Sequence, residues 1–410
     1  MANFCFSLKA VSCEERGLMA NQLVLHGIRI LDFSWVLAGP YATRLLADFG
    51  AEVIKVQPLM PEAQGKFDRG YYNTWNRNKL GITLNLNKPK GVALAKRLAG
   101  ISDAVVDNFT PRVIANWGLD YPNLKKVKPD IIMLSMSTMG STGPWRDYVG
   151  FGPTVQAFSG ITHLTSYPGK PPSGLGYAYA DHVAGLMAAS ALIGALEYRR
   201  KTGEGRYIDV SQVEAMTNLL GSAFLEYGVT SKPPEPAGNR SKEAAPHGVY
   251  HCRGDDRWCA ISVSSDDEWR AFKRVLGNPL WTEDKRFVTL SGRLEDADEL
   301  DRLVESWTRD HTAEEVMAWL QKVGIAAGIV QDARDLAKDP QLRARDFFIE
   351  LDHPELGSIV SDATPIKLSE TPARYSRAAP SQGRDNDYVY KQLLSMSEDE
   401  LADLRQQGII

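Results

Sequence analysis

The sequence predicts an α/β fold: a large doubly wound domain with a mostly parallel, helix-covered sheet, followed by a smaller α+β domain. Three observations carry that reading. Strand and helix patterns alternate through the first half, the composition breaks abruptly at a proline-rich stretch near residue 230, and a hairpin pattern with amphipathic helices follows it. At 410 residues the chain is long enough for two domains and a sizeable apolar core.

Residues 1–24 read as an N-terminal extension. Its short apolar stretch meets Glu14, Glu15 and Arg16 at once, unlike a secretory signal, and Met19 is an alternative start. GIRILDF then ends at Phe33 as a strand, GPYATRLLADFG is a helix with Pro40 early and Gly50 at its end, and AEVIKV is a second strand. This is a βαβ unit. ITLNL, the helix KGVALAKRLAG, DAVVDNF and DIIMLSMS continue the alternation, which calls for a parallel sheet with helices on its faces. The run Val183 to Leu196 holds no charge, falls short of the roughly 20 residues a membrane span needs, and reads as a buried helix. RYIDVS is the next strand, and a second long helix runs from about Gln212 to Tyr227.

SKPPEPAGNRSKEAAPHG carries four prolines and no apolar period, so residues 229–247 read as a linker or mobile loop between a first part at 25–228 and a small domain at 248–331. In the small domain GVYHCRGDDRWCAISV is a hairpin turning at RGDD, and DDEWRAFKRVLG and TAEEVMAWLQKVG are amphipathic helices. Ser397 and Glu400 stand in capping-box spacing before a closing helix.

Composition narrows the function. Lys and Arg number 47 against 51 Asp and Glu, a net charge of −4, which offers no basic footprint for nucleic acid. The expected ligand is a small molecule. Cys5, Cys13, Cys252 and Cys259 show neither metal-ligand spacing nor disulfide density, pointing to a reducing cytoplasm and no metal. DFSWVLAGP stands where a dinucleotide fingerprint would follow the first strand, and GxSxG, the phosphate-loop Lys and HExxH are absent, so nicotinamide, serine hydrolase, ATPase and zinc hydrolase readings lose their support.

Ligands of such sheets bind at the carboxyl ends of strands. Four stretches qualify: SWVLAGP, NFTPRVIANWGL, STMGSTGPW and the approach to Asp181. Gly140 and Gly143 let backbone N–H groups near an anion, and Asn108 and Arg112 could contact a phosphate; ordinary turn chemistry explains the same glycines. Asp181 is the odd residue, a carboxylate at the head of an uncharged run. It reads equally as an N-cap and as an ionised, poorly hydrated nucleophile. His182, one residue on, points about 100° away on a helix, which disfavours an Asp–His relay.

GIRILDFSWVLAGPYATRLLADFGAEVIKV, NRNKLGITLNL, DNFTPRVIANWGLDY, STGPW and ADHVAGLMAASALIGALEYRRKTGEGRYIDVS together resemble the class III CoA-transferases, the family of formyl-CoA transferase, carnitine CoA-transferase and the α-methylacyl-CoA racemases, from about Leu25 to Ile410. The resemblance implies a Rossmann-like large domain built from both chain ends, with residues 332–410 returning to it, and two interlocked subunits, identical or related. It implies acyl-CoA and a carboxylic acid as substrates, no tightly bound cofactor, and neither nucleic acid nor membrane as partner. It places the nucleophile on Asp181, with mixed-anhydride and aspartyl-CoA thioester intermediates. The STMGSTG and AGP loops would supply backbone donors for the oxyanions.

Contacts to CoA carry over to Val36, Leu37, Ala38, Leu84, Asn108, Phe109, Ser137 and Gly140, and Asn116 replaces an arginine of formyl-CoA transferase, leaving Arg112 or Lys79 for the phosphates. Leu37 falls where that enzyme has a glutamine facing the acyl group, which implies a larger, less polar acyl group. With Trp35, Trp75, Tyr177, Tyr179 and Phe151 nearby, it suggests an aromatic or bulky acid such as a substituted succinate, with succinyl-CoA as donor. Packing is the other reading of these rings. A racemase would need a second base where this chain has Phe151. A non-catalytic partner subunit should lack Asp181.

Overall fold

The computed structural model describes residues 23–59 and 70–410. Nearly all of the expected N-terminal extension, with Cys5, Cys13 and Met19, lies outside the described residues. Six strands, β1 (Arg29–Asp32), β2 (Glu52–Gln57), β3 (Leu80–Thr83), β4 (Ala104–Asp107), β5 (Ile132–Ser135) and β6 (Tyr207–Asp209), form one sheet in the order β3-β2-β1-β4-β5-β6. Every pairing is parallel. The order reverses between β1 and β4, where Ile30 lies opposite Ala104 and Asp32 opposite Val106. That reversal opens a crevice at the strands' carboxyl ends.

Successive side chains leave opposite faces of a strand. Leu31, Ile54, Ile82, Val105 and Met133 pack with Leu94, Leu98 and the C-terminal Val389, Tyr390, Leu401 and Ile409. Their neighbours Ile30, Val53, Ala104, Val106 and Ile132 pack on the other face with Ala42, Leu46, Ala188 and Leu192. Both faces are covered, as an all-parallel sheet requires. The free edge of β3 is closed too, because Gly81 and Thr83 donate their N–H groups to the side chains of Asp385 and Asn386, at 2.7 and 2.9 Å.

A largely buried ion cluster holds the C-terminal stretch against the first described helix, Ala38–Asp48. Arg77 forks onto Asp48 at 3.0 and 2.6 Å, Arg44 forks onto Asp362 at 3.0 Å through both amino groups, and Arg77 also reaches Asp362 at 3.3 Å. Asp362 ends the hairpin Phe348–His353 and Gly357–Asp362.

The run read as a buried helix is longer and less buried than expected. It spans Tyr179–Thr202 and stops at Gly203, whose positive φ of 75° closes the last turn. Length and composition alone would suit a membrane span, but half of its most apolar stretch is buried. Ala184, Gly185, Ala188 and Leu192 face inward, while Leu186, Met187 and Ile193 are exposed. A side chain at Gly185 would sit 2.8 Å from the Ala38 carbonyl oxygen, so glycine permits the contact with the first helix. The expected second long helix is broken. Gln212–Thr217 passes through a 3-10 turn at Asn218–Leu220 into Gly221–Thr230, with the weak helix formers Asn218 and Gly221 at the break.

The second compact unit is Thr162–Ser173 with Lys232–Leu342. It therefore runs past residue 331 and recruits a segment that the sequence pattern assigned elsewhere. Strands β7 (His247–His251), β8 (Trp258–Ser262) and β9 (Ala326–Ile329) form an antiparallel sheet over Trp269, Phe272, Phe287, Leu300 and Val316. The proline-rich stretch is tied down here. Gly238 donates to the Ser166 carbonyl at 3.2 Å, and Arg240 pairs with Asp298 and Asp301.

Candidate active site

At the carboxyl end of β1, Asp32 is wholly buried. It accepts the Ser34 N–H at 2.8 Å, the Thr43 hydroxyl at 2.7 Å, Lys79 at 3.1 Å and Lys55 at 3.3 Å. Burial alone would raise its pKa, but the two ammonium groups and two hydroxyls outweigh it and hold the carboxyl far below its usual range. Burial pushes Lys79 down to about 7 against the pull of Asp32. The network anchors the loop from Ser34 to Leu37. Gly39 is obligatory beneath it, since a Cβ there would lie 2.1 Å from the Ser34 Cβ.

The loop after β4 meets it across the crevice. Asn108 accepts the Trp35 N–H and donates to the Trp35 carbonyl, both at 2.8 Å. Beside this junction lies a cavity of about 560 Å³ walled by Trp35, Val36, Tyr71, Asn108, Phe109, Val113, Trp117, Thr138, Phe151 and Asp181. A second hollow of about 290 Å³, containing Leu84 and Pro58, shares Trp35, Phe109 and Trp117 with the first. Phe109 stands edge-on to both tryptophans at 5.6 Å, making an aromatic partition.

Asp181 is the third residue of its helix, with Ala178 at the cap position, so the N-cap reading is corrected. The helix begins earlier than the apolar run suggested. One carboxylate oxygen, Oδ2, is buried without a hydrogen-bond partner. Gly152 leaves room for it, because a Cβ there would come within 2.6 Å. Burial raises the Asp181 pKa to about 6, opposed by the backbone N–H groups of Ala38 and of Asp181 itself. An ionised, underhydrated carboxylate at a helix N-terminus is a competent nucleophile. The activity that uses it should therefore rise with an apparent pKa near 6 rather than the ordinary value near 4, checked by a pH profile of kcat/KM; a limb at 4 would contradict the role.

His182 turns into an aromatic cluster. It stacks on Tyr177 at 4.9 Å and lies 4.8 Å from Tyr41 and 5.1 Å from Trp75. Its Nδ1 meets the Ala178 carbonyl and its Nε2 the Tyr177 hydroxyl. Burial lowers its pKa, so the ring stays neutral and packed.

Several expected contacts fall elsewhere. Lys79 is spent on Asp32, Pro40 and Asn76 inside the protein and presents no charge to a phosphate. Leu37 and Ala38 point inward, at 1% and 0% exposure, so only Trp35 and Val36 of that loop wall the cavity, and Leu37 gives no guide to acyl size. Ser137 and Gly140 are buried, and the neighbouring Ser141 N–H already binds Asp209 at 2.9 Å. The loop's anion is thus its own carboxylate. Trp75 is packed beneath Arg44. Arg112 is exposed and makes no ion pair with the described residues. The glycines of GFGP, Tyr71 and Gln212, which also reaches the cavity, were missed by sequence reasoning; only the paired glycines signalled a close approach.

The family description "CoA-transferase family III" matches residues 25–386, and the five sequence blocks above lie in that span. The chain belongs to CoA-transferase family III. It is 35% identical to succinyl-CoA–D-citramalate CoA-transferase of Chloroflexus aurantiacus, over 94% of this chain and 98% of the relative. It is 30% identical to succinate–glutarate CoA-transferase of Agrobacterium fabrum, over 90% and 95%. The crystal structure of a CAIB/BAIF family protein from Brucella suis superposes with a TM-score of 0.84 at 28% identity, covering 91% of this chain and all of the other. This chain is accordingly a class III CoA-transferase, and the cavity at Asp181 is its candidate active site.

Proposed function

We propose that this CoA-transferase moves CoA between an acyl-CoA and a free acid through covalent intermediates on Asp181. The observation that carries the reading is that Asp181 lines the cavity while one of its carboxylate oxygens, Oδ2, is buried without a hydrogen-bond partner. A carboxylate oxygen attacks the donor thioester carbonyl, the C–S bond breaks, and a mixed anhydride and CoA thiolate form. The thiolate then attacks the aspartyl carbonyl and expels the donor acid, leaving aspartyl-CoA thioester. The acceptor carboxylate displaces the thiolate to give a second anhydride, which the thiolate opens at the acceptor's carbonyl. Asp181 is regenerated with no net proton consumed. The Ala38 N–H beside the carboxylate is the oxyanion donor this sequence of steps calls for.

The bound CoA runs from the smaller hollow, past the Trp35–Phe109 partition, to Asp181, with Arg112 free to meet its phosphates. Succinyl-CoA is the proposed donor, since relatives named for it cover nearly the whole chain. For the acceptor, the cavity wall of Trp35, Tyr71 and Phe151 carries no Lys or Arg, which suits an aromatic or bulky acid such as a substituted succinate whose second carboxylate lies outside this pocket. Phe151 supplies no base, so a racemase is disfavoured. The exposed apolar Leu186, Met187, Ile193, Phe224, Leu225 and Val229 are consistent with an interlocked dimer, of two copies or of related alpha and beta chains. Free, buried Cys252 and Cys259 suit the cytoplasm.

A panel of donor thioesters and acids read by mass spectrometry tests this. Succinyl-CoA with a bulky or aryl-substituted acid is the expected productive pair. Turnover confined to formate or oxalate would overturn the acceptor reading.

A further inference from the structure

We propose that Asn108 is a positioning residue: it clamps the loop after β1 in a strained conformation that delivers Ala38 to Asp181. The inference rests on the reading of Asp181 as nucleophile. Val36 is the pivot. Its φ of 65° lies in the left-handed region, a costly place for a β-branched side chain, and the residue is about half exposed, with little packing to hold it there.

Both ends of the loop are pinned. On the strand side, Ser34 gives its N–H and hydroxyl to Asp32, and its carbonyl accepts from Lys55. On the helix side, Gly39 presses on Ser34, the Tyr41 N–H binds the Leu37 carbonyl at 2.7 Å, and the Ala38 carbonyl abuts Gly185, one turn beyond Asp181. Between them stands Trp35, and Asn108 takes both of its backbone groups at 2.8 Å. An amide is the side chain that can donate and accept at once in this way. Each polar atom of Asn108 already makes a hydrogen bond to the loop, so its part in the reaction is exerted first through the loop. Without the clamp, Val36 relaxes toward the extended region, and the Leu37–Ala38 peptide that follows it loses its fixed aim at the nucleophile.

The experiment compares wild type, Asn108→Ala, Asn108→Asp and the double variant Asn108→Ala/Val36→Gly. Steady-state kinetics and borohydride trapping of the Asp181 adduct are the readouts. Asn108→Ala should lose about 10- to 100-fold in kcat with KM for acyl-CoA within about 3-fold. Asn108→Asp keeps the acceptor and should fall between. Glycine adopts the left-handed conformation without penalty, so the double variant should regain a substantial part of kcat. An unchanged kcat, a loss confined to KM, or a loss that glycine does not relieve overturns the clamp.

A wild type without a trapped adduct would sink the nucleophile reading instead, and a thermal-melt cycle then decides the clamp. Val36→Gly should be more favourable in the wild-type background than in Asn108→Ala, by about 2 °C, because only the clamped loop holds strain to relieve. Zero coupling in that cycle would overturn it.

Discussion

Asp181→Asn should abolish CoA transfer, by at least about 10³-fold in kcat, while leaving the fold intact, because an amide cannot form an anhydride. Borohydride reduction after incubation with donor acyl-CoA should mark one peptide of wild type, containing residue 181, and none of the variant. Stability gives an independent check. The folded pKa of Asp181 is raised to about 6, so the group favours folding at pH below the ordinary aspartate value and that contribution is lost as pH rises through 6. Above pH 7 the wild type carries a poorly solvated charge that the variant lacks. Thermal melts should therefore show the variant at least as stable as wild type at pH 8, by up to about 2 kcal/mol, with the gap closing toward pH 4.5. Because Asp181 is not the helix cap, no capping bond is lost to obscure the comparison. A folded variant keeping even a few per cent of the rate would return Asp181 to a structural role.

Asp32→Ala should be the most destabilising single change near the site. It leaves Lys55 and Lys79 buried with no carboxylate between them, and removing one partner of a buried pair costs about 3–5 kcal/mol. The loss should depend on pH with a definite sign. Lysine pKa values already lowered by burial fall further without Asp32, so the folded state binds fewer protons than the unfolded chain between neutral pH and about 10. Stability of the variant should consequently climb as pH rises through that window. Urea unfolding at pH 7 and pH 9.5 measures it. Equal stability of variant and wild type at pH 7 would show that the cluster contributes nothing. In any variant that stays folded, Ser34 loses its anchor, and the Trp35–Val36 wall should bind acyl-CoA more weakly.

How far the site was legible differs from residue to residue. Asp181 stood out because a carboxylate heading an uncharged run is costly without a purpose, and that anomaly is visible in one dimension. Lys79 did not show its role. A lysine in sequence is only a charge, and whether it meets solvent or Asp32 depends on how β1 and β3 lie across β2. Gly140 truly frees backbone near an anion, but the anion is Asp209, brought alongside by the parallel pairing of β5 with β6, and Gly143 has no such neighbour among the described residues.

The sequence by itself determined the alternation of strands and helices, the small unit's hairpin and helices, the family, and the candidate nucleophile. Each is set by periodicity, turn chemistry or residue type over a short span, and local physics suffices for these. Tertiary structure alone decided that Leu37 and Ala38 turn inward while Val36 turns out, that Asn108 locks the Trp35 backbone, that Gly152 clears space for Oδ2, and that Thr162–Ser173 joins the second unit. Those outcomes hang on contacts between residues tens of positions apart, and their energies exist only once the sheet has brought both partners to the same edge.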